Sequence, residues 1–370
     1  MQKKLIALAV AAVTSGAAFA QTNVTIYGNV DMGVMFRQGN NGAVANGQSQ
    51  YDLQSAASQS HIGFKGVEDL GNGLKALFDL QYRISPDTNT GLASAGHQYV
   101  GLTGGFGTVV AGYLDGIRFG IYGKYSPFGN YSVASLTSMT TQYDRAANAL
   151  AYISPSFSGF TVILATATNT QGAEGSLKSV HTTPNTGTGN TGDDRLLSAN
   201  LIYAKGPLSI DLDYETTRAV GYDRDRLYVA TAGASYDFGV VKVSGLYDVI
   251  KGDVNSFIGG NTTFAAAAFG LAANQKYDRR NWFVGATVPL GKFSVMGMFG
   301  QVKDKTLSDA DAWKLGVGAR YALSKRTELY ADFAHIKNDT NGKYTINPMG
   351  NGAGTSVGIN GLAMGIKHSF

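Results

Sequence analysis

The chain has 370 residues, 30 Lys+Arg against 26 Asp+Glu, and no cysteine, which excludes disulfide frameworks, zinc–thiolate sites, iron–sulfur clusters and cysteine nucleophiles. Charged residues make up 15% of it, against about 25% in an average soluble domain, and its 49 glycines are close to twice the usual ~7% share. After the first twenty residues no apolar run approaches the ~18 that a membrane-spanning helix needs, and the net charge of +4 gathers into no basic stripe that would suit nucleic acid.

At the amino terminus Lys3 and Lys4 precede the apolar stretch from Leu5 to Val13 and small residues ending in Ala18-Phe19-Ala20. Charged, hydrophobic and A-x-A regions in that order predict a secretory signal over residues 1–20, leaving 21–370 as the exported domain.

From there one design repeats. Val24, Ile26, Val30 and Met32 alternate with Thr25, Tyr27, Asn29 and Asp31, and Leu74, Ala76, Phe78, Leu80 and Tyr82 alternate with Lys75, Asp79, Gln81 and Arg83. The clearest case is Leu208, Ile210, Leu212 and Tyr214 against Ser209, Asp211, Asp213 and Glu215. Further segments of period two lie at Leu197–Tyr203, Tyr228–Tyr236, Val241–Tyr247, Trp282–Val288, Trp313–Tyr321 and Leu362–Phe370. Such strands have one apolar and one polar face. Several apolar faces end in Tyr or Trp, the residues that a lipid–water interface favours.

Short turns at Glu68–Gly73, Gly104–Gly107, Ser154–Gly159, Ala204–Pro207, Asp237–Gly239, Pro289–Lys292 and Ala322–Arg326 alternate with longer polar stretches around 38–57, 85–96, 114–144, 169–194, 218–226, 250–279, 303–311 and 338–354. Seven short and eight long connections join sixteen strands, and about 22 residues per strand and connection suits spans of ~9–11 residues. In lipid every backbone N–H and C=O must be paired within the protein, so these strands can cross a membrane only as a closed, all-β, antiparallel barrel. The apolar face then meets lipid. The face carrying Lys65, Lys75, Asp79, Arg83, Asp211, Asp213, Lys242, Asp248, Lys314, Arg320, Glu328 and Asp332 is expected to line a water-filled lumen, because side chains alone cannot fill so wide a barrel.

Signs of chemistry are weak. Gly71-Asn72-Gly73-Leu74-Lys75-Ala76 is flanked by strands, where a dinucleotide site needs a helix N-terminus. The acidic pairs Asp193-Asp194, Asp223/Asp225 and Asp309/Asp311 sit in expected loops without calcium-loop spacing, and His61, His97, His181, His335 and His368 form no H-x-x-x-H pair. The expectation is a channel and not an enzyme, with no cofactor and no metal.

Gly66-Val67-Glu68-Asp69-Leu70-Gly71-Asn72-Gly73-Leu74-Lys75-Ala76 resembles the first periplasmic hairpin of the Gram-negative general porins, above all their β-proteobacterial group. The likeness continues through Tyr27-Gly28 and Asp31, through Arg145, Asn148, Tyr152, Ser154-Pro155, Phe157 and Gly159-Phe160, through Leu323-Ser324-Lys325-Arg326-Thr327 and Leu329-Tyr330, and to the closing Gly365-Ile366-Lys367-His368-Ser369-Phe370. That resemblance implies a sixteen-stranded outer-membrane barrel passing ions and small hydrophilic solutes, embedded in lipid and lipopolysaccharide. It also implies a homotrimer, a third loop from about Leu114 to Asp144 folded into the lumen, and a final Phe370 read by the barrel-insertion machinery.

Related porins carry several constriction arginines opposite the third loop, and by that resemblance only Arg145 remains here. His61 and His97 stand at the other two positions. The expected constriction is Arg145, His61, His97, Lys65, Arg83, Asp115 and Arg118, with Lys124 and Asp144 contributing charge. An unperturbed imidazole has a pKa of ~6.5, so anion preference is expected to grow as pH falls.

Overall fold

The computed structural model describes residues 23–39, 49–88, 92, 94–140, 145–168, 195–218, 226–253, 276–342, 344–346 and 358–370. The expected signal peptide, Asp144, His181 and the acidic pairs Asp193-Asp194 and Asp223/Asp225 lie outside them.

The strands are β1 (Asn23–Gln38), β2 (Gln50–Gln54), β3 (His61–Gly71), β4 (Leu74–Arg83), β5 (Ser94–Gly104), β6 (Gly107–Asp115), β7 (Arg145–Ile153), β8 (Phe160–Thr168), β9 (Arg195–Lys205) and β10 (Leu208–Arg218). They continue as β11 (Leu227–Asp237), β12 (Lys242–Asp253), β13 (Lys276–Leu290), β14 (Phe293–Asp304), β15 (Ala312–Ala322), β16 (Thr327–Asn338) and β17 (Asn360–Ser369). All pair antiparallel with their neighbours, and β1 closes the sheet by pairing with β17. The result is a closed sixteen-stranded barrel, because β2 and β3 share one place in it. β2 pairs with the second half of β1 and β3 with its first half.

That split corrects the expected loop at 38–57, part of which is β2. The break between β2 and β3 is anchored by Asp31, whose Oδ2 accepts the backbone N–H groups of Ala57 at 2.9 Å and Ser58 at 2.5 Å. Its Oδ1 accepts the Tyr330 hydroxyl at 2.6 Å. One carboxylate thus satisfies backbone donors that leave the ladder at the break.

Alternation sets the two faces. Val24 and Ile26 are 56% and 59% exposed on the outer face of β1, while Asn29 opposite His61 and Thr25 opposite Lys65 look inward. Aromatic pairs gird the outside at both levels. Phe160–Tyr203, Tyr236–Phe238 and Phe293–Tyr321 lie beside the short turns with centroids 4.5–4.7 Å apart, and Trp282–Phe299–Trp313 lie toward the long loops at 5.7 Å spacing. At the β3–β4 turn Asn72 and Gly73 take φ of 51° and 77°, the double left-handed conformation that a two-residue hairpin demands.

Candidate functional site

The segment between β6 and β7 contains helix α1 (Ile117–Tyr125) and a 3-10 turn at Leu136–Met139. It binds inward-facing side chains on strands far from its own ends. Arg118 forms an ion pair with Asp248 of β12, its Nε at 2.9 Å, and the Tyr122 hydroxyl donates to the same carboxylate at 2.6 Å. Lys124 pairs with Asp211 of β10, which also accepts the Tyr125 hydroxyl at 2.5 Å. Farther on, Ser132 donates to Asp332 of β16 at 2.7 Å and Lys314 of β15 donates to the Ser135 carbonyl at 2.5 Å. A segment tethered to β10, β12, β15 and β16 crosses the barrel interior.

The wall is shaped to receive it. A β-carbon at Gly233 would overlap the Tyr125 ring, one at Gly285 would meet Pro127, one at Gly316 would meet Ala134 and one at Gly318 would meet Phe128. These glycines face the lumen on β11, β13 and β15, and their missing side chains form the bed on which the segment lies. Between the tethers sits an apolar core inside the barrel, with Ile121, Tyr122, Phe128 and Leu136 packed with Leu246, Ile250, Phe283, Met296 and Met298. Desolvation accounts for the chemistry of the tethers. Burial, then the charge of Asp248, raises the Tyr122 phenol well above its ordinary value, and burial with the Asp211 hydrogen bond raises that of Tyr125.

This arrangement corrects the expectation that the whole polar face looks onto open water. Asp211, Asp213, Asp248, Lys314 and Asp332 are buried beneath the segment. The apolar lumen positions Phe283, Met296 and Met298 were legible only as departures from clean alternation in β13 and β14.

The other expected residues lie on the wall of β1 and β3–β7. There His97 Nδ1 lies 2.8 Å from Asp115 Oδ2 and its Nε2 lies 3.4 Å from Asp79 Oδ1. Arg145 Nε lies 2.9 Å from Asp115 Oδ1. The Tyr27 hydroxyl donates to Asp79 at 2.5 Å, and Lys65 Nζ sits 4.9 Å from the centre of the Tyr27 ring. His61 is opposite Arg83 in the ladder, with its Nδ1 3.0 Å from the Gln59 carbonyl. Six of the seven expected residues therefore share one wall. Arg118 does not: it is 2% exposed and tied to Asp248 across the barrel, where it holds the segment instead of facing ions. Tyr27 and Asp79, which join Lys65 to His97, were absent from the expected set, although both carry the inward parity of their strands.

Residues 7–341 match the family described as Gram-negative porin. The chain belongs to that family. Outer membrane porin protein 32 of Delftia acidovorans is 32% identical over 391 residues, covering all of both chains, and an outer membrane porin protein of Bordetella pertussis is 28% identical over 410 residues, again covering all of both. Among solved structures, an anion-selective porin from Comamonas acidovorans superposes with a TM-score of 0.73 at 26% identity, covering 95% of this chain and 100% of that one. This porin is accordingly an outer-membrane barrel of Gram-negative type, a water-filled channel through which ions and small hydrophilic solutes diffuse passively.

Proposed function

We propose that solutes pass between the inner segment and the β1–β7 wall, and that the charged patch on that wall sets ion preference. The observation that carries this reading is the linked cluster Lys65, Tyr27, Asp79, His97, Asp115 and Arg145, a chain of ionisable groups on strands other than those that tether the segment, in which Lys65 is exposed and the buried Arg145 is held by the more exposed Asp115. With Arg83 added, three fixed cations stand against the two carboxylates Asp79 and Asp115. The patch has one net positive charge while His61 and His97 are neutral, and three when both are protonated. In a narrow lumen with low-dielectric walls each charge is felt strongly by passing ions. The channel therefore favours anions modestly at neutral pH and more strongly in acid. The anion selectivity stated for the Comamonas acidovorans porin supports the sign.

The same reading includes a homotrimer, contact with lipopolysaccharide, removal of residues 1–20 on export and recognition of the carboxyl terminus by the insertion machinery. Phe370 is well placed for the last of these, since its backbone pairs with Gly28 at 3.0 Å and its side chain is exposed on the outer face.

Reversal potentials in a salt gradient at about pH 8 and about pH 5, bracketing the ordinary imidazole pKa, test the proposal on wild type and on a double variant carrying His61→Gln and His97→Gln. The wild type should shift further toward anions on acidification than the double variant. Equal shifts would remove the histidines from the mechanism, and an unchanged potential in Arg145→Gln would remove the patch.

A further inference from the structure

We propose that the lumen wall beneath the inner segment binds a divalent cation of the calcium class, centred on Asp213. Asn200, Asp213, Thr231, Asp248 and Asn281 stand directly opposite one another on the five consecutive strands β9 to β13. They form one transverse row on the inner face, and each is at most 4% exposed.

Four oxygens of this row, Asn200 Oδ1, Asp213 Oδ2, Thr231 Oγ1 and Asn281 Oδ1, have no hydrogen-bond partner among the described residues. Buried oxygens are ordinarily paired, and here three of the unpaired ones, on Asn200, Asp213 and Thr231, stand on adjacent strands. Asp213 has its other oxygen on the Ser198 hydroxyl at 2.9 Å and no ion pair among the described residues. The charge balance points the same way. Four carboxylates, Asp211, Asp213, Glu215 and Asp248, are buried on this patch, and two of them are paired with cations there, Asp248 with Arg118 and Asp211 with Lys124. A buried carboxylate with a free oxygen and surplus negative charge around it calls for a counter-cation or a proton.

The donor set selects the cation. A carboxylate, an amide carbonyl and a hydroxyl are hard oxygen ligands without imidazole or sulfur, which suits calcium over transition metals. Asn200 and Thr231 flank Asp213 on either side, each one strand spacing of ~4.8 Å away. Side chains that lean across that spacing can bring their oxygens to an ion seated over Asp213, at calcium–oxygen distances of ~2.4 Å. Such an ion would neutralise the wall that receives α1 and strengthen the seating of the segment.

Calcium chloride titrated calorimetrically into porin refolded in detergent without lipopolysaccharide, after chelator treatment and near neutral pH, decides the matter. Wild type should bind one ion per chain with Kd of about 10⁻⁴ to 10⁻³ M. Asp213→Asn should weaken this at least ~10-fold, and so should the pair Asn200→Leu with Thr231→Val, which leaves the carboxylate in place. Heat-modifiable migration on gels verifies that each variant is folded. Equal binding by wild type and both variants overturns the site. Absence of calcium binding in folded wild type also overturns it, and leaves a proton on the carboxyl group as the neutralising charge.

Discussion

The Tyr125 ring lies against Gly233 in the volume that a β-carbon would occupy, while its hydroxyl reaches Asp211 at 2.5 Å. One residue of the wall yields space and another holds the tip of the ring, so the position of α1 follows from a missing side chain as much as from a present one.

A side chain at Gly233 should therefore unseat the helix without breaking the barrel. Gly233→Val points its branches at Tyr125, and overpacking of this kind costs ~1–3 kcal/mol. Since the outer face of β11 is untouched, the variant should still migrate as a folded barrel, and its single-channel conductance should rise. Unchanged conductance in a folded variant would mean that the segment does not limit the passage.

The Arg118–Asp248 pair is a tether removed from solvent, both side chains being at most 2% exposed. Removing one partner leaves the other charge buried without compensation, a loss of about 3–5 kcal/mol. Arg118→Ala should make the segment accessible to added protease in detergent-solubilised porin, with cleavage appearing within residues 117–140. Protection equal to wild type would show that the tether is dispensable.

Alkali should release the segment. Tyr122 and Tyr125 are both raised above the ordinary phenol value, chiefly by burial and then by Asp248 and Asp211. The seated segment keeps protons that a released one gives up above pH ~10. Seating is fully favourable below that point and weakens as pH rises through it, because the released state then binds fewer protons. Conductance recorded from about pH 8 upward should increase beyond pH ~10, and the increase should be smaller in Tyr122→Phe with Tyr125→Phe, which has no phenol to titrate.

The two faces of the barrel differ in what they tolerate. Leu212 is 49% exposed on the outer face of β10, and an arginine there should cost ~2–4 kcal/mol in lipid. Lys65→Gln, on the open lumen wall, should change unfolding by less than ~1 kcal/mol. Urea titration of both variants reinserted into vesicles measures the contrast, and similar losses would contradict the assignment of faces.

Alternation of Leu208–Glu215, the turn residues at Asn72-Gly73 and the aromatic ends of the strands were enough to determine a lipid-facing barrel, because a membrane allows strands no arrangement except closure. Period two also placed Asp79, His97 and Arg145 on the inner face, since each is a local property of its own strand. Which inward residues meet water was decided only by the tertiary structure. Asp213 and Lys65 have the same parity and similar polarity in sequence, yet the first is buried under α1 and the second stands in the open lumen. The difference comes from contacts 86 and 200 residues apart along the chain, Tyr125 with Asp211 and Ser132 with Asp332. Gly233, Gly285 and Gly316 carry no sign of their role in isolation, because the absence of a side chain acquires meaning only when another part of the chain fills the space.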